Sequence, residues 1–337
     1  MGFIMRRVTV ADIMRETGLS RATVDRALNG RGRVHDRTRL VVEETLRKLS
    51  SPGADPTARP VTTDIALRLG RGMMGRMRAV WAASGAKGAF HDLHLADDAS
   101  VLRQVETLCR DVSRPLIVAI KSSDRISAVL SAARARGKRV IAVISDLAPS
   151  ARDAFVGLDD RAVGQTAAFL IGRMLGDRPT TVGVVLGSPA FRCHEDREIG
   201  FRSGLRANFP KVVISGEVQG EDSAELTRHA VARLLRDQPA LGAIYNVGGG
   251  NLGLVEALRA AGRAQDMLVV GHEVNPVTAP LLRAGEIHFA LAGDPRELLA
   301  TALALAGDPE PAKQGAERLL EFGVYTRFNL PTFGASV

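Results

Sequence analysis

From Thr62 onward the sequence alternates between short apolar runs and longer amphipathic segments. The runs include "TDIALRL", "PLIVAIK", "RVIAVIS", "TVGVVLG", "KVVISGEV", "LGAIYNV", "MLVVGHE" and "IHFALAG". Between them lie "SVLRQVETLCRDV", "DRAVGQTAAFLIGRML", "DREIGFRSGLRANF" and "AELTRHAVARLLRD", each with apolar residues at helical spacing. Strands that are apolar throughout and separated by helices predict parallel sheets covered on both faces. The segment holds about 270 residues, too many for one comfortable sheet. Two α/β lobes with a cleft between them are therefore expected.

The first fifty residues have a different grammar. Thr9 with Asp12 marks a helix start, and Gly18 supplies the turn that ends it. Ser20 caps a second helix, "RATVDRAL", which stops at Asn29-Gly30. Asp36 caps a third, ending near Leu49, with Val42, Leu46 and Leu49 on one face. Ile13, Leu19, Val24, Leu28 and Val34 would complete a three-helix core. Two short helices about a glycine turn predict a helix-turn-helix whose second helix enters the DNA major groove. Arg21 and Ala22 are placed to reach base edges, with Arg26 one turn further on. Ser20, Thr23 and Asn29, and Thr9 at the first helix start, face the backbone; Asp25 is expected to pair with Arg21.

Charge agrees with this division. The chain carries +8 overall; residues 1–60 hold 12 Lys+Arg against 7 Asp+Glu, and the remainder 33 against 30. A basic excess on a small N-terminal segment fits nucleic-acid binding. No apolar run approaches the roughly 20 residues of a membrane helix. The apolar stretch at the N-terminus is short for an export signal, and Cys109 and Cys193 are far apart. The expected location is cytoplasmic.

The segments "VTVADI", "GLSRATVDRALNG" and "RVHDRTR" resemble the DNA-binding head of the lactose-repressor (LacI) family of transcription regulators. The body, through "HEDREIGFRSGL", "IYNVGGGNLG" and "VVGHE", resembles the type I periplasmic-binding-protein fold of that family's effector core and of sugar-binding proteins. The resemblance implies a helix-turn-helix head over 1–50 and a hinge over 51–61. It implies one lobe of 62–159 with 287–316 and another of 160–286 with 317–337, with crossings near Asp159, Ile287 and Glu317. Pro52, Pro56 and Pro60 interrupt the hinge, which favours an extended linker over a DNA-contacting helix. By the same resemblance Arg197, Asn246 and Glu273 meet a ligand, with Asp146 from the first lobe and Phe191 as an apolar wall. Trp81 is as suited to the core, and Asp160 lies near a crossing.

These readings together predict a ligand-responsive regulator, a repressor, controlled by a sugar, polyol or sugar acid. It would act as a homodimer on a pseudo-palindromic DNA operator, without cofactor, metal or membrane. The alternatives are a cytoplasmic sugar-binding sensor or solute-binding protein with weak DNA binding, and an NAD-dependent oxidoreductase. The last rests on Gly248, Gly250 and Gly253 at G-x-G-x-x-G spacing, with Glu273 twenty residues on. That fingerprint sits late in the chain, and in the family frame the glycines make the turn after Asn246. Cys193-His194-Glu195 and His272-Glu273 lack metal-site spacing, and no catalytic dyad is evident.

Overall fold

The computed structural model describes residues 9–29, 34, 35, 38, 39, 41, 42, 45, 46, 62–176, 178–308 and 315–331. They belong to two units, Met1–Arg59 and Pro60–Val337.

In the first unit, α1 (Val10–Thr17) starts at a reciprocal cap. The Asp12 amide donates to Thr9 Oγ1 at 3.3 Å, and the Thr9 amide to Asp12 Oδ2 at 3.0 Å. Gly18, at φ 69°, ends the helix by donating to Met14 O. Helix α2 (Arg21–Asn29) follows, with Ser20 Oγ accepting from the Thr23 amide. Ile13, Val24, Ala27 and Val42 form a small buried cluster. Of the third expected helix, residues 38, 39, 41, 42, 45 and 46 are helical. Its ends at Asp36 and Leu49, the 51–61 hinge and the side chain of Asn29 lie outside the described residues.

The second unit contains two six-stranded sheets. The first runs in the order β11-β5-β4-β3-β1-β2, with every pairing parallel. Its strands are β1 (Asp64–Leu67), β2 (Phe90–Asp92), β3 (Leu116–Ala119), β4 (Val140–Val143), β5 (Ala154–Leu158) and β11 (Ala316–Leu320). The second runs β12-β10-β9-β8-β6-β7. It is built of β6 (Thr180–Leu186), β7 (Val212–Gln219), β8 (Leu241–Asn246), β9 (Leu268–His272), β10 (Phe289–Gly293) and β12 (Phe322–Tyr325). Only β12 is antiparallel, on the edge against β10. This is a two-lobed α/β fold with parallel sheets, one of which carries an antiparallel rim.

Helices cover both faces of each sheet, so β1, β3 and β4 are buried at every residue. Helices α3 (Arg71–Ser84), α4 (Asp98–Leu108) and α5 (Asp124–Ala135) belong to the first lobe. The second lobe holds α6 (Asp160–Leu175), α7 (Arg192–Asn208), α8 (Ala224–Asp237), α9 (Asn251–Ala260) and α10 (Thr278–Arg283). Helix α11 (Pro295–Gly307) returns to the first lobe, where Leu298, Leu299 and Ala302 join a core with Ile65, Met77 and Trp81.

The lobe boundaries drawn from the sequence need correction at two crossings. The run after Ile287 does not leave the second lobe, because β10 extends that sheet with Ala290 opposite Gly271. The chain crosses at Asp294–Pro295, where Asp294 caps α11 and Pro295 opens it. Nor does it cross at Glu317, which sits in β11 opposite Phe155 of the first sheet. The last crossing lies between Leu320 and Phe322.

Candidate functional site: a cleft between the lobes

A cleft of about 900 Å³, counting its open mouth, lies between the lobes at the carboxyl ends of the parallel strands. That is where open α/β sheets present loops and helix starts to a ligand. Three hydrogen bonds, one between backbone groups and two between a side chain and a backbone group, join the lobes across it. The Ser122 amide donates to Ala190 O at 3.0 Å, the Cys193 amide to Ser145 Oγ at 3.4 Å, and Arg76 Nη1 to Val274 O.

Arg197 is placed by the packing of α6 on α7. A side-chain carbon on Gly164 would lie 2.0 Å from Arg197 O, and one on Gly200 would lie 2.2 Å from Arg161 O. The two backbones therefore meet at glycine, and the start of α6 comes against the second turn of α7. Arg197 Nε then donates to Asp160 Oδ1 at 2.7 Å and Nη1 to Val247 O at 3.2 Å, both side chains buried. Burial works against each charge. The Asp160 carboxylate nonetheless keeps the guanidinium pKa above its ordinary value, while burial lifts that of Asp160 against the pull of Arg197.

His194 lies three residues before Arg197. Its Nδ1 donates to Ser188 O at 3.1 Å, and its Nε2 lies 3.8 Å from Asp222 Oδ1. Burial lowers the imidazole pKa, but Cys193 and Asp222 outweigh it and raise it to about 9. Asp222 sits at φ 59°, next to Glu221 at φ 49°, in a left-handed pair that turns its carboxylate onto the glycine turn. There Oδ1 accepts from the Gly249 amide at 2.7 Å.

The next strand ends in His272 and Glu273. His272 is buried, shares a 2.8 Å hydrogen bond between Nε2 and the Tyr245 hydroxyl, and is held neutral because burial drives its pKa well down. Its Nδ1 has no hydrogen-bond partner among the described residues. Glu273 turns into the cleft at φ 67°, a left-handed conformation that costs of order 1–3 kcal/mol for a residue other than glycine. Its amide donates to Leu291 O at 3.1 Å, and Oε2 accepts from Asn275 Nδ2 at 3.0 Å. Burial, more than the opposing pull of Arg197, lifts its carboxyl to about 7.

Of the ligand residues expected from the sequence, Phe191, Arg197 and Glu273 line this cleft. Asn246 does not. It is buried beneath the glycine turn, where Nδ2 donates to Gly249 O and Asn251 Oδ1, each at 2.8 Å. Asp146 does not either. After β4 the chain doubles back at Ile144 (φ 68°), and Asp146 is carried to Arg152, whose Nη2 donates to Asp146 Oδ2 at 2.7 Å. Trp81 lies in the first-lobe core beside Phe90. His194, Asp222 and His272 enter the cleft without having been assigned to a ligand from the sequence. His194 and His272 stood out only as metal candidates, and no cluster of three metal-ligating side chains occurs among the described residues.

The glycine fingerprint has a structural explanation. A side-chain carbon on Gly253 would lie 1.7 Å from Ala224 O, so this glycine lets α9 approach the start of α8. Gly250 sits at φ 83°. The Gly249 amide, which would meet a pyrophosphate in a dinucleotide site, is taken by the Asp222 carboxylate. An acid at that point repels phosphate.

The fold and the cleft are those of a two-lobed α/β protein with an opening between its lobes. The chain belongs to the periplasmic binding protein domain family, whose model matches residues 81–308. It is similar to the D-ribose/D-allose-binding protein of Pseudomonas aeruginosa, 28% identical over 204 residues, which is 57% of this chain and 61% of that protein. It is also similar to the D-allose-binding periplasmic protein of Escherichia coli, 28% identical over 160 residues, 47% of this chain and 51% of that one. The chain thus spans less than two thirds of the length of either curated relative. Among solved structures, an ABC transporter solute-binding protein from Burkholderia graminis in complex with D-arabinose superposes with a TM-score of 0.73. It is 18% identical, with coverage of 82% of this chain and 98% of that one. Another from Actinobacillus succinogenes, with bound D-allose, gives 0.70 at 17% identity, covering 80% and 98%. At such identities the likeness is one of fold.

These relatives overturn the expectation of a DNA-binding transcription regulator of the lactose-repressor family. They are named as sugar-binding proteins, and the family match begins at residue 81, beyond the helices of the first unit. Within that unit the expected pairing of Asp25 with Arg21 is present. Arg21 Nε lies 3.9 Å from Asp25 Oδ2, and Arg26 Nε donates to Ala22 O at 2.9 Å. Neither the expected operator nor the expected homodimer is shown by these relatives. The expected cytoplasmic location is overturned as well, since the family and the Escherichia coli relative are named for the periplasm.

Proposed function

We propose that this protein binds a small sugar or polyol between its two α/β lobes, acting as a solute-binding protein and not as an enzyme. The observation that carries the proposal is the convergence of five polar side chains, His194, Arg197, Asp222, His272 and Glu273, in one cleft. Arg197 uses two of its five N–H donors on Asp160 and Val247 O, and the remainder can serve ligand oxygens. Asp222 and Glu273 accept from hydroxyls, and Phe191 offers an apolar face to ring carbons. Relatives named for D-ribose and D-allose support the sugar class. A place beside an ABC transporter, for which the solved neighbours are named as solute-binding proteins, belongs to the same proposal. The helices Val10–Thr17 and Arg21–Asn29 of the first unit lie outside the residues that the family model matches.

Calorimetric titration of the full chain with D-ribose, D-allose and D-arabinose, extended to other neutral monosaccharides, tests this. Binding of at least one sugar more tightly than about 1 mM is expected, and it should vanish in Arg197→Ala. Absence of heat and of any thermal shift across the panel would overturn the proposal.

A further inference from the structure

The two walls of the cleft differ in chemistry. The second lobe supplies all five of the polar side chains above. The first lobe supplies Leu69, Met73, Ile144, Leu158, Leu298 and Leu320, together with glycine and proline. Among the described lining residues, that wall offers no side chain able to donate or accept a hydrogen bond. Asp294, at the passage between the lobes, is engaged in capping α11 through the Arg296 amide at 2.9 Å.

Each cation of the polar wall is also paired with an acid. Arg197 faces Asp160 at 2.7 Å, and His194 faces Asp222 at 3.8 Å. Glu273 adds a further acid. A ligand carboxylate or phosphate entering here meets cations already neutralised by carboxylates, so its charge finds no uncompensated counter-charge to offset its desolvation. Neutral ligands carry no such penalty.

From this segregation we infer that the cleft selects an uncharged polyol with one apolar end, the class of the 6-deoxyhexoses, over fully hydroxylated hexoses and over sugar acids or phosphates. The hydroxyls meet the second lobe, and the methyl group meets the first. A hydroxyl turned toward the leucine and methionine wall is desolvated and left unpaired, whereas a methyl there gains by burial. The two effects act in the same direction and favour the deoxy sugar by about tenfold. This inference rests on the sugar-binding proposal and narrows it.

The test is calorimetry on the full chain with sugar pairs that differ only in the C6 hydroxyl: L-fucose against L-galactose, L-rhamnose against L-mannose, and D-quinovose against D-glucose. D-gluconate and D-glucose 6-phosphate serve as anions. In the pair whose stereochemistry fits, the deoxy member is expected to bind about tenfold tighter, with neither anion binding measurably. A hydroxylated member binding as tightly as its partner, or an anion binding best, would overturn the inference while leaving the sugar-binding proposal standing. No binding by any neutral sugar would overturn the proposal itself. Met73→Gln, at a partly buried position, places an amide on the apolar wall and should reduce the preference several-fold. An unchanged preference in this variant would show that the methyl does not face the first lobe.

Discussion

Arg152 in the first lobe and Arg197 in the second are both buried arginines paired with an aspartate, and the two pairs serve different ends. In the first lobe Arg152 is 1% exposed, bonded to Asp146 and to Ala316 O at 3.2 Å. It fastens the returning strand β11 beside β5 and does not touch the cleft. In the second lobe Arg197 is bonded to Asp160 and to Val247 O, and it lines the cleft. The residue types, the burial and the bond lengths are alike. What separates a strut from a site is whether the guanidinium keeps a side turned to the cavity, and that depends on where the chain carries it. The comparison also explains why Asp146, an acid at the end of a strand, belongs to the strut.

The largest effects should come from breaking either pair. Arg197→Met and Arg152→Met each leave a buried carboxylate uncompensated and should each cost about 3–5 kcal/mol in denaturant unfolding. Only Arg197→Met should abolish sugar binding in protein that remains folded. Loss of binding in folded Arg152→Met would break the comparison. A double change, Arg197→Met with Asp160→Leu, sharpens it, because removing both charges should recover stability to within about 1 kcal/mol of the parent. Binding should stay absent, and its return would mean that the pair is a strut in both lobes.

Glu273 gives an effect of intermediate size that depends on pH. Its pKa is raised from 4.5 to about 7 in the folded protein, so the folded state holds this proton more tightly than the unfolded chain. The stability it contributes is full below 4.5 and is lost as pH rises through about 7. The melting temperature of the parent, compared with Glu273→Gln, should therefore fall between about pH 5 and about pH 8. Parallel melting curves for the two proteins would show that Glu273 is not desolvated. The smallest effect belongs to the apolar wall. Met73→Ala should cost about 1 kcal/mol and weaken ligand binding a few-fold, without changing its pH dependence.

Much of the architecture was legible because parallel strands covered on both faces must be apolar throughout, a pattern visible in "PLIVAIK" and "MLVVGHE". The crossings were harder. "IHFALAG" reads as a strand of either sheet, and only the pairing of Ala290 with Gly271 assigns it to the second. A local signal was present in "GDPREL", an aspartate cap followed by proline, which starts a helix and fixes the crossing at Asp294. Arg197, Phe191 and Glu273 followed strand ends and helix starts. Asp222 was hidden in "QGEDSAEL", which reads as a plain turn, because its role depends on two consecutive left-handed residues. Asn246 and Asn251 are both buried polar residues near the cleft, and sequence cannot show that Asn246 Nδ2 donates to Asn251 Oδ1 beneath the turn. The head misled for another reason. Caps, a glycine turn and excess arginine specify two helices and a positive surface, and they do not specify a partner.

The three hydrogen bonds across the cleft, from Ser122, Cys193 and Arg76, exist only while the lobes are together. Each is worth about 0.5–1.5 kcal/mol net, independent of any ligand. They therefore act as a clock. If the cleft holds a sugar as proposed, these bonds part before it leaves and so bear on its dwell time, while the two walls bear on which molecule is held. Ser145→Ala removes the acceptor for the Cys193 amide and should speed release with little change in ligand preference.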